Sequence, residues 1–347
     1  MKLKEEEKVL DTPISPFEVK SGQTVREVLR RMESISFQGR SLGTAFRVWR
    51  EMLADDATVI MGLSGAMVPA GMRSVIAYLI ENRFIDCLVS TGANLFHDCH
   101  ETLGRFHFRG DPHFDDITLY QRGVDKIYDT YASEEEFRRS DKFVADFAGG
   151  LNSQRIYTTR EFLKLLGEWL GEEGPAEGIL TSAAKANVPV YCPAIGDSSL
   201  GIALTLLTSK IGRRFQFDVI GDVEELTNIV AKSKKTGVIY VGGGTPKNFI
   251  QQTEVAASIL GHDVKGHHYA IQIIVDAPHW GGLSGATFEE AQSWGKISAS
   301  AKKVTLYCDA TIALPLLVTA LAEEAGEIRR GVSVTFRLNE TLEMTIS

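Results

Sequence analysis

One lysine of this sequence, Lys296, lies in a setting that suits covalent chemistry with amines. It lies near the end of residues 280–297 (WGGLSGATFEEAQSWGKI), where a glycine-rich loop leads into a short predicted helix. A lysine beside a tryptophan in a partly dry site is more readily the neutral amine, which attacks an imine or carbonyl carbon. Glu290 and Trp294 are four residues apart and share a face of this helix. The alternatives are a solvated Lys296 and a Glu290 that forms a capping box with Thr287.

A second candidate site is the turn within residues 238–249 (VIYVGGGTPKNF), which follows a strand-like run. After the three glycines, Thr245 is predicted as the N-cap of a helix and Pro246 as its first residue. Such a junction presents free N–H groups and a helix dipole to an anion, and glycines let a ligand approach the main chain. A tight turn without a ligand is the alternative. Lys247 invites comparison with a P-loop, but the sequence has neither GxxxxGK[ST] nor GxGxxG spacing.

Seven strand-like runs alternate with helical patterns along the chain. This alternation predicts an α/β fold with a mostly parallel, Rossmann-like sheet and helices on both faces. In such sheets ligands bind outside the carboxyl ends of the strands, where several of these runs end in small or polar residues. The seven runs are residues 57–62, 87–91, 188–194, 215–220, 237–241, 269–277 and 303–310.

The chain is predicted to form a single domain over residues 1–347, beginning with a helical segment over residues 1–55. Residues 106–150 are rich in charged and aromatic side chains and lack a strong strand signal. They are predicted to form a helical excursion over one edge of the sheet. Residues 171–178 (GEEGPAEG) are predicted as a surface turn between two helices.

The net charge of −8 and the pI near 5.6 argue against nucleic acid and anionic membranes, which attract clustered Lys and Arg. No stretch approaches the length of a membrane span, and the start MKLKEEEKVLD lacks the apolar segment of a signal peptide. Four cysteines in 347 residues predict free thiols. A soluble cytoplasmic protein is expected.

The histidines of the segment 97–113 could be imagined as ligands of a metal ion. His97 and His100 are close in sequence, and His107 and His113 follow. Zinc sites need three or four ligands in a closed geometry, and no second cluster pairs with these residues. Structural or supporting roles are predicted for these histidines, and no metal is expected.

Seven motifs follow one another in a distinctive order: GLSGAMVPAG, VSTGANLFHD, LYQRGVDKIYD, CPAIGDSSLG, VGGGTPKNFI, EEAQSWGKI and LYCDATIALPLLV. Together they resemble deoxyhypusine synthase over nearly the whole chain. The resemblance implies an NAD domain, a homotetramer and active sites built between two subunits. It also implies that NAD takes a hydride from a carbon next to a polyamine nitrogen. An aminobutyl group then passes through a lysine imine to an acceptor amine.

The resemblance assigns roles to individual residues. Lys296 corresponds to the covalent lysine, and Glu290 and Trp294 correspond to residues of the amine pocket. NAD is expected to bind at the turns that follow the strands. The residues that the resemblance places there are Ser64, Ser90, Thr91, Asp197, Gly242, Gly243, Gly244, Asp309 and Ala310.

The amine pocket departs from the family pattern. The acidic residue after SLG is Ile202, and two aspartates of the family's glycine-rich loop become Trp280 and Leu283. The pocket histidine becomes Asn248 and the pocket tyrosine becomes Gln272. A protonated polyamine in a partly buried pocket needs carboxylates to offset its desolvation, so the donor or the acceptor is expected to have changed.

The expected NAD loops depart from the family pattern as well. The family's serine-asparagine pair in the first turn is Gly65-Ala66 here, and its paired glutamates fall at Phe96-His97.

Three hypotheses about function remain. The first is an NAD-dependent transferase that moves an alkylamine group from a polyamine through Lys296 to a protein lysine, or to a small amine as in homospermidine synthases. The second is a non-catalytic, NAD-binding scaffold protein, against which Glu290, Trp294 and Lys296 together argue. The third is NAD-dependent chemistry on a non-polyamine substrate, with Trp280 and Leu283 forming a more apolar pocket.

Overall fold

The computed structural model describes residues 12–347. Its elements up to residue 150 are α1 (Val25–Met32), α2 (Phe37–Ala54), β1 (Ala57–Leu63), α3 (Arg73–Glu81), β2 (Cys87–Ser90), α4 (Gly92–Thr102), β3 (Phe108–Arg109), α5 (Asp116–Gln121), β4 (Val124–Ile127), β5 (Thr130–Ser133) and α6 (Glu134–Gly150). The later elements are α7 (Thr159–Glu173), α8 (Ile179–Ala186), β6 (Val190–Tyr191), α9 (Ser199–Ile211), α10 (Val219–Lys232), β7 (Lys235–Val241), α11 (Gly244–Ile259), β8 (His267–Ile274), α12 (Phe288–Ser293), β9 (Ile297–Tyr307), α13 (Ala310–Ala322), β10 (Val334–Leu338) and β11 (Leu342–Ile346).

Six parallel strands form the central sheet in the order β6-β2-β1-β7-β8-β9. The chain adds strands outward from β1 to β6, then returns to the other side of β1 and adds β7 to β9. The direction of growth therefore reverses between β1 and β7, which is where open α/β sheets bind their ligands. The predicted α/β fold with a parallel, Rossmann-like sheet is confirmed.

Helices cover both faces of the sheet, which explains why the strands are apolar throughout. Every residue of β1 is buried. Val59 and Met61 belong to a hydrophobic cluster that includes Trp49 of α2, whereas Ile60 belongs to a second cluster that includes Leu226 of α10. Successive side chains of a strand point to opposite faces, so a strand covered on both sides reads as a continuous apolar run.

The two N-terminal helices are fastened to the end of α13 by a buried carboxylate. Glu324 has no solvent exposure, and Arg30 of α1 lies 2.5 Å from it. Arg50 of α2 makes a second ion pair, and Arg26 lies 3.9 Å away. A buried carboxylate is tolerated only when its charge is paired and hydrogen-bonded. Within the segment 1–55, which was predicted to be helical, helices occupy Val25–Met32 and Phe37–Ala54, and residues 1–11 lie outside the described residues.

The segment 106–150 was expected to be helical, but α5 and α6 are accompanied by a three-stranded antiparallel sheet in the order β3-β5-β4. Its strands have only two to four residues, and most of their side chains are partly exposed. Charged residues therefore occupy several exposed positions of these strands, and the sequence lacks the regular alternation of apolar and polar residues that would indicate a strand. The turn predicted at residues 171–178 is confirmed for residues 174–178, because α7 continues to Glu173 and α8 begins at Ile179.

The strand predicted at residues 215–220 is wrong. Phe215 and Phe217 instead pack their rings 5.4 and 5.3 Å from that of Phe162, and α10 already begins at Val219. Alternating aromatic residues here fill a loop beneath α7 rather than a strand of the sheet. Residues 188–194 also contribute less than predicted, since β6 contains only two residues.

The four cysteines are free thiols, as predicted, and three of them are buried. Within residues 12–347, no helix is both long and apolar enough to span a bilayer.

Candidate active site

Lys296 is held rigidly between a helix end and a strand. Gly295 adopts the left-handed conformation (φ +70°) just after α12. The Gly295 amide donates to the Gln292 carbonyl and the Lys296 amide donates to the Ala291 carbonyl, both at 3.0 Å. These two bonds form a Schellman motif, which requires a residue that tolerates positive φ. The Lys296 carbonyl accepts a bond of 3.1 Å from His267 of β8, so the SWGK motif fixes the backbone from which the amine projects.

The side chains predicted to surround this amine are close to it. The Lys296 Nζ lies 5.4 Å from the centre of the Trp294 ring, within the range of a cation–π contact. Thr287 caps α12 by accepting a bond of 3.1 Å from the Glu290 amide. Among the described residues, the Glu290 carboxylate does not return a bond to the Thr287 amide, so the predicted capping box is incomplete. Glu290 therefore keeps its charge available to the site.

A second lysine, Lys247 of α11, is buried beneath the loop that carries the pocket residues. Its side chain is only 1% exposed. Its ammonium donates to the Ala286 carbonyl at 2.6 Å and to Gln272 Oε1 at 3.1 Å, and the carbonyls of Ser284 and Leu283 lie at 3.3 and 3.5 Å. The loop 283–286 is therefore folded around this charge.

The protonation of Lys247 reports which charges are nearby. Burial lowers the pKa of Lys247 to about 8, while Glu290 raises this pKa and Lys296 lowers it further. An opposite charge stabilises an ammonium group and a like charge destabilises it, which gives these two directions.

Gln272 lies behind the wall of the site rather than on its surface. It is 1% exposed, and its Nε2 donates to the Gly242 carbonyl at 3.0 Å and to the Ser284 carbonyl at 2.9 Å. Because its Oε1 accepts from Lys247, every hydrogen-bonding atom of the Gln272 side chain already has a protein partner. Gln272 connects the glycine turn to the loop that precedes α12.

The other predicted pocket residues lie at the surface. Trp280, Trp294 and Leu283 are 76, 66 and 43% exposed. Asn248 follows Lys247 on α11 and is half-buried, and Ile202 on α9 is 59% exposed. Exposed tryptophan and leucine side chains of this kind are suited to contact with a substrate or another protein surface.

The residues predicted to bind a cofactor all follow strands of the central sheet and so share its carboxyl edge. Ser64 follows β1, and its hydroxyl donates to the Gly243 carbonyl at 2.6 Å, across the point where the strand order reverses. Gly242 and Gly244 have φ of +73° and +60°. Gly243 is the N-cap of α11, which makes the prediction of Thr245 as N-cap wrong by two positions.

The N-terminus of α11 is suited to binding an anion. No side chain caps it, and a Cβ built on Gly244 would meet nothing within 4 Å. Pro246 is tolerated as the third residue because the N–H groups of a first helical turn have no partners within the helix. Gly243 is packed differently, since a Cβ on it would lie 2.5 Å from the Ser284 Cα. The glycine turn therefore lies between the accessible N-terminus of α11 and the loop 283–286.

The other predicted cofactor residues lie at the carboxyl edge of the sheet, in the turns after β2, β6 and β9. Ser90 ends β2, and Thr91 is the N-cap of α4 without a side-chain capping bond. Asp197 lies after β6, is exposed, and donates its amide to the Ala194 carbonyl. The remaining two residues, Asp309 and Ala310, follow β9 at the start of α13. Asp309 Oδ1 accepts a bond of 2.6 Å from the Thr311 hydroxyl and one of 2.7 Å from the Thr311 amide, and both lower the pKa of Asp309.

The comparisons with known proteins agree with the geometry. The family model of deoxyhypusine synthase matches residues 27–321. The chain is 54% identical over 328 residues to "Probable deoxyhypusine synthase 2" of Methanosarcina acetivorans, covering 94% of both chains. It is 54% identical over 291 residues to a protein of the same name from Archaeoglobus fulgidus, covering 84% of this chain and 95% of the other. The chain belongs to the deoxyhypusine synthase family.

Membership of the deoxyhypusine synthase family confirms the predicted transferase class, because these relatives are named deoxyhypusine synthases, and a deoxyhypusine synthase is an aminobutyltransferase. A crystal structure of an Entamoeba histolytica protein, provisionally called a deoxyhypusine synthase, matches 91% of this chain and 98% of its own with a TM-score of 0.61. At 16% identity this likeness concerns the fold alone.

Three histidines near this edge form a packed group in this member of the deoxyhypusine synthase family. His97 Nδ1 lies 2.9 Å from His107 Nε2, and His97 and His100 pack edge-on against Phe137. Burial lowers the pKa of His97 to about 3 and that of His100 to about 4, so both are neutral near pH 7. His113 is exposed on the loop before α5. Within residues 12–347, no group of three or more His, Cys, Asp or Glu side chains is arranged to hold a metal.

Lys247 was compared with the lysine of a P-loop in the sequence, but it was not predicted to lie beside the amine pocket. A signal was present, because a cation in the first turn of a helix opposes the helix dipole and buried lysines are rare. The carbonyl oxygen atoms that stabilise the Lys247 ammonium belong to the loop 283–286, whose position is known only from the structure.

Proposed function

We propose that this chain is an NAD-dependent transferase that carries an alkylamine group as an imine on Lys296. The observation that carries the proposal is the position of Lys296: the Schellman motif fixes its backbone, its Nζ lies 5.4 Å from the centre of the Trp294 ring, and Glu290 lies on the helix that this motif ends. A rigid attachment matters because covalent catalysis depends on the orientation of the nucleophile.

The proposed reaction has four steps. A first hydride transfer oxidises the donor, two successive exchanges move the imine to Lys296 and then to the acceptor, and a second hydride transfer reduces the product imine. The chemistry that bound NAD supplies is acceptance of a hydride from the carbon next to a donor nitrogen, and its return to the product imine. Lys296 adds to the oxidised carbon, and the remainder of the donor leaves as an amine. Glu290 accepts and returns the protons of this exchange. An acceptor amine then displaces Lys296, which regenerates the free lysine.

The proposal that NAD binds here is supported by the carboxyl edge of the sheet. The strand order reverses between β1 and β7, and the adjacent start of α11 has free amides and no capping side chain. Both features suit a pyrophosphate. Ser64, Ser90, Thr91, Asp197 and Asp309 would supply polar groups along the same edge, and glycines 242–244 would allow close approach.

The acceptor is proposed to be either a protein lysine or a small amine, the latter as in a homospermidine synthase. The donor is proposed to be an amine or polyamine. A cytoplasmic homotetramer is also proposed, and its support is the exposed apolar surface around Trp280, Leu283 and Trp294, which a second subunit would cover.

Trapping of the imine tests the proposal. The protein is incubated with NAD and spermidine, putrescine or agmatine, and any imine is reduced with borohydride. Mass spectrometry then gives the masses of the intact protein and of its peptides. The expected result is an alkylamine adduct on Lys296 that requires NAD and is absent from Lys296→Ala. Lys302→Ala is the matched control, because Lys302 is a nearby lysine that pairs with Glu51. NAD binding without an adduct from any amine would count against the covalent role and favour a non-catalytic scaffold.

A further inference from the structure

We infer that Glu254 and His267 are positioning residues for Lys296: they hold the start of β8 against the backbone of Lys296 and so fix where its amine points. Glu254 is 4% exposed and His267 has no solvent exposure, so neither side chain is available to a substrate. The inference rests on the proposed function of Lys296 and extends it to two buried groups that act through its main chain.

The turn that carries Lys296 meets the central sheet at the first residue pair of β8 and β9. His267 pairs with Ile297, and the His267 amide donates to the Lys296 carbonyl at 3.1 Å. The next pair along these strands is Tyr269 with Lys302, so β9 has four residues in the interval where β8 has one. Pairing beyond this bulge is too far along β9 to fix Lys296. The start of β8 is therefore the part of the sheet that positions the lysine.

Gly266 brings the main chain of β8 into direct contact with the lysine turn. It has a φ of +78°, and a Cβ built on it would lie 2.6 Å from the Ile297 carbonyl carbon and 2.9 Å from the Gly295 carbonyl oxygen. Glycine suits both this conformation and this space. Because Gly295 and Ile297 flank Lys296, a shift of Gly266 would move the backbone on both sides of the lysine.

Glu254 holds Gly266 in place from α11. Its Oε2 accepts a bond of 3.1 Å from the Gly266 amide. Burial raises the pKa of Glu254 to about 7, so the neutral and the ionised carboxyl are both populated near neutral pH. An oxygen can accept from the amide in either form, so the bond depends on the length of the side chain more than on its charge. A buried amide that lost this acceptor would be left without a partner.

The side chain of His267 joins the same strand start to β7 and α11. Its Nδ1 lies 2.8 Å from Thr236 Oγ1 and 3.3 Å from Glu254 Oε1. Burial lowers the pKa of His267 to about 3, so the imidazole is neutral near pH 7. The side chain of His267 is thus fixed by two neighbouring elements, and its main chain in turn fixes Lys296.

Two variants of Glu254 separate the length of the side chain from its charge. Glu254→Gln keeps the length and an oxygen that can accept from the Gly266 amide. Glu254→Asp keeps the carboxyl group but withdraws it by one methylene, about 1.5 Å. Asp222→Ala is the matched control. Asp222 of α10 is also a buried carboxyl that accepts main-chain amides, at 3.1 and 3.2 Å, but those amides belong to the start of α7.

The first measurement is the rate of imine formation on Lys296, with NAD and increasing concentrations of whichever of spermidine, putrescine and agmatine labels it fastest. Adducts are trapped with borohydride, and rates are expressed per folded molecule. Glu254→Asp is expected to lower the maximal rate by roughly 10- to 100-fold, because a misplacement of about 1 Å is costly to covalent chemistry. The amine concentration that gives half of the maximal rate should not change, because Glu254 does not bind the donor.

Glu254→Gln and Asp222→Ala are expected to keep the maximal rate of the wild-type protein. A wild-type rate in Glu254→Asp, or an equal loss in Asp222→Ala, would overturn the inference while leaving the proposed function intact. No adduct on Lys296 of the wild-type protein with any of the three amines would instead remove the proposed function, and amide exchange would then decide the anchoring alone.

Amide hydrogen exchange measures the anchoring without catalysis. In Glu254→Asp the amides of Gly266 and His267 are expected to exchange on the order of tenfold faster than in the wild-type protein, whereas Glu254→Gln and Asp222→Ala leave them unchanged. Thr236→Val is the second variant if Glu254→Asp does not fold, since it removes the hydroxyl beside His267 Nδ1 with a side chain of the same shape. The same changes in rate and exchange are expected there to a smaller extent. Wild-type exchange in both Glu254→Asp and Thr236→Val would refute the inference.

Discussion

The buried charge of Lys247 has a measurable effect on stability. Its pKa is about 8 in the folded protein and 10.5 as the ordinary value. The unfolded chain therefore binds more protons between these values, and the free energy of unfolding rises with pH through this window. Linkage gives an increase of about 1.3 kcal/mol between pH 7 and 9, and of about 2.5 kcal/mol between pH 7 and 10.

Lys247→Met removes this dependence because methionine does not titrate. We expect the free energy of unfolding of the wild-type protein, relative to that of Lys247→Met, to rise by about 1.3 kcal/mol from pH 7 to pH 9. Urea unfolding followed by tryptophan fluorescence at both pH values measures it, and the titration of all other groups cancels in the comparison. Lys302→Met is the control, because the side chain of Lys302 is 54% exposed and its charge meets water. A constant difference between the wild-type protein and Lys247→Met would refute the assignment of a buried, titrating ammonium.

Three further predictions concern other parts of the fold. Burial raises the pKa of Glu254 to about 7, so this carboxyl group should contribute about 2.5 kcal/mol more to the free energy of unfolding at pH 5 than at pH 8; the difference in urea unfolding between the wild-type protein and Glu254→Gln should change by this amount between the two pH values. Gly243→Ala would place a Cβ 2.5 Å from the Ser284 Cα, so it should lower stability by about 1–3 kcal/mol and reduce the borohydride-trapped adduct; unchanged values would contradict the packing. Asp98→Ala should cost about 3–5 kcal/mol in urea unfolding, because it removes the carboxylate 2.9 Å from the Arg73 guanidinium and the acceptor of the buried Ile179 and Leu180 amides; a loss below about 1 kcal/mol would contradict this.

The central sheet could be predicted because its strands are covered on both sides. β1, β2, β7 and β8 are continuous apolar runs, and their ends carry the small and polar residues expected at a ligand site. The short strands β3 to β5 could not be predicted, since their partial exposure mixes charged and apolar residues. At Phe215 and Phe217 a strand was predicted where the structure has a loop, because alternating apolar residues also occur in a loop that packs against aromatic rings.

The residues of the candidate site stay a prediction. Glu290, Trp294 and Lys296 lie within seven positions of one another around one helix end, but the family resemblance rather than local spacing assigned them to an amine pocket. Gln272 and Lys247 were harder, because their partners are main-chain oxygens of a loop that sequence does not place. Those hydrogen bonds arise only when β8, α11 and the loop before α12 come together.

The position of β1 in the middle of the sheet also affects how the protein is made. One edge of β1 pairs with β2 soon after synthesis, but the other edge pairs with β7, and the partners Ala57 and Lys235 are 178 positions apart. At ordinary translation rates, synthesis of that stretch takes roughly 10 to 40 s. During this time a long apolar strand has one open edge, which is prone to pair with other chains. Chains that stop before residue 235 are therefore expected to aggregate, whereas chains that include β7 can close the centre of the sheet.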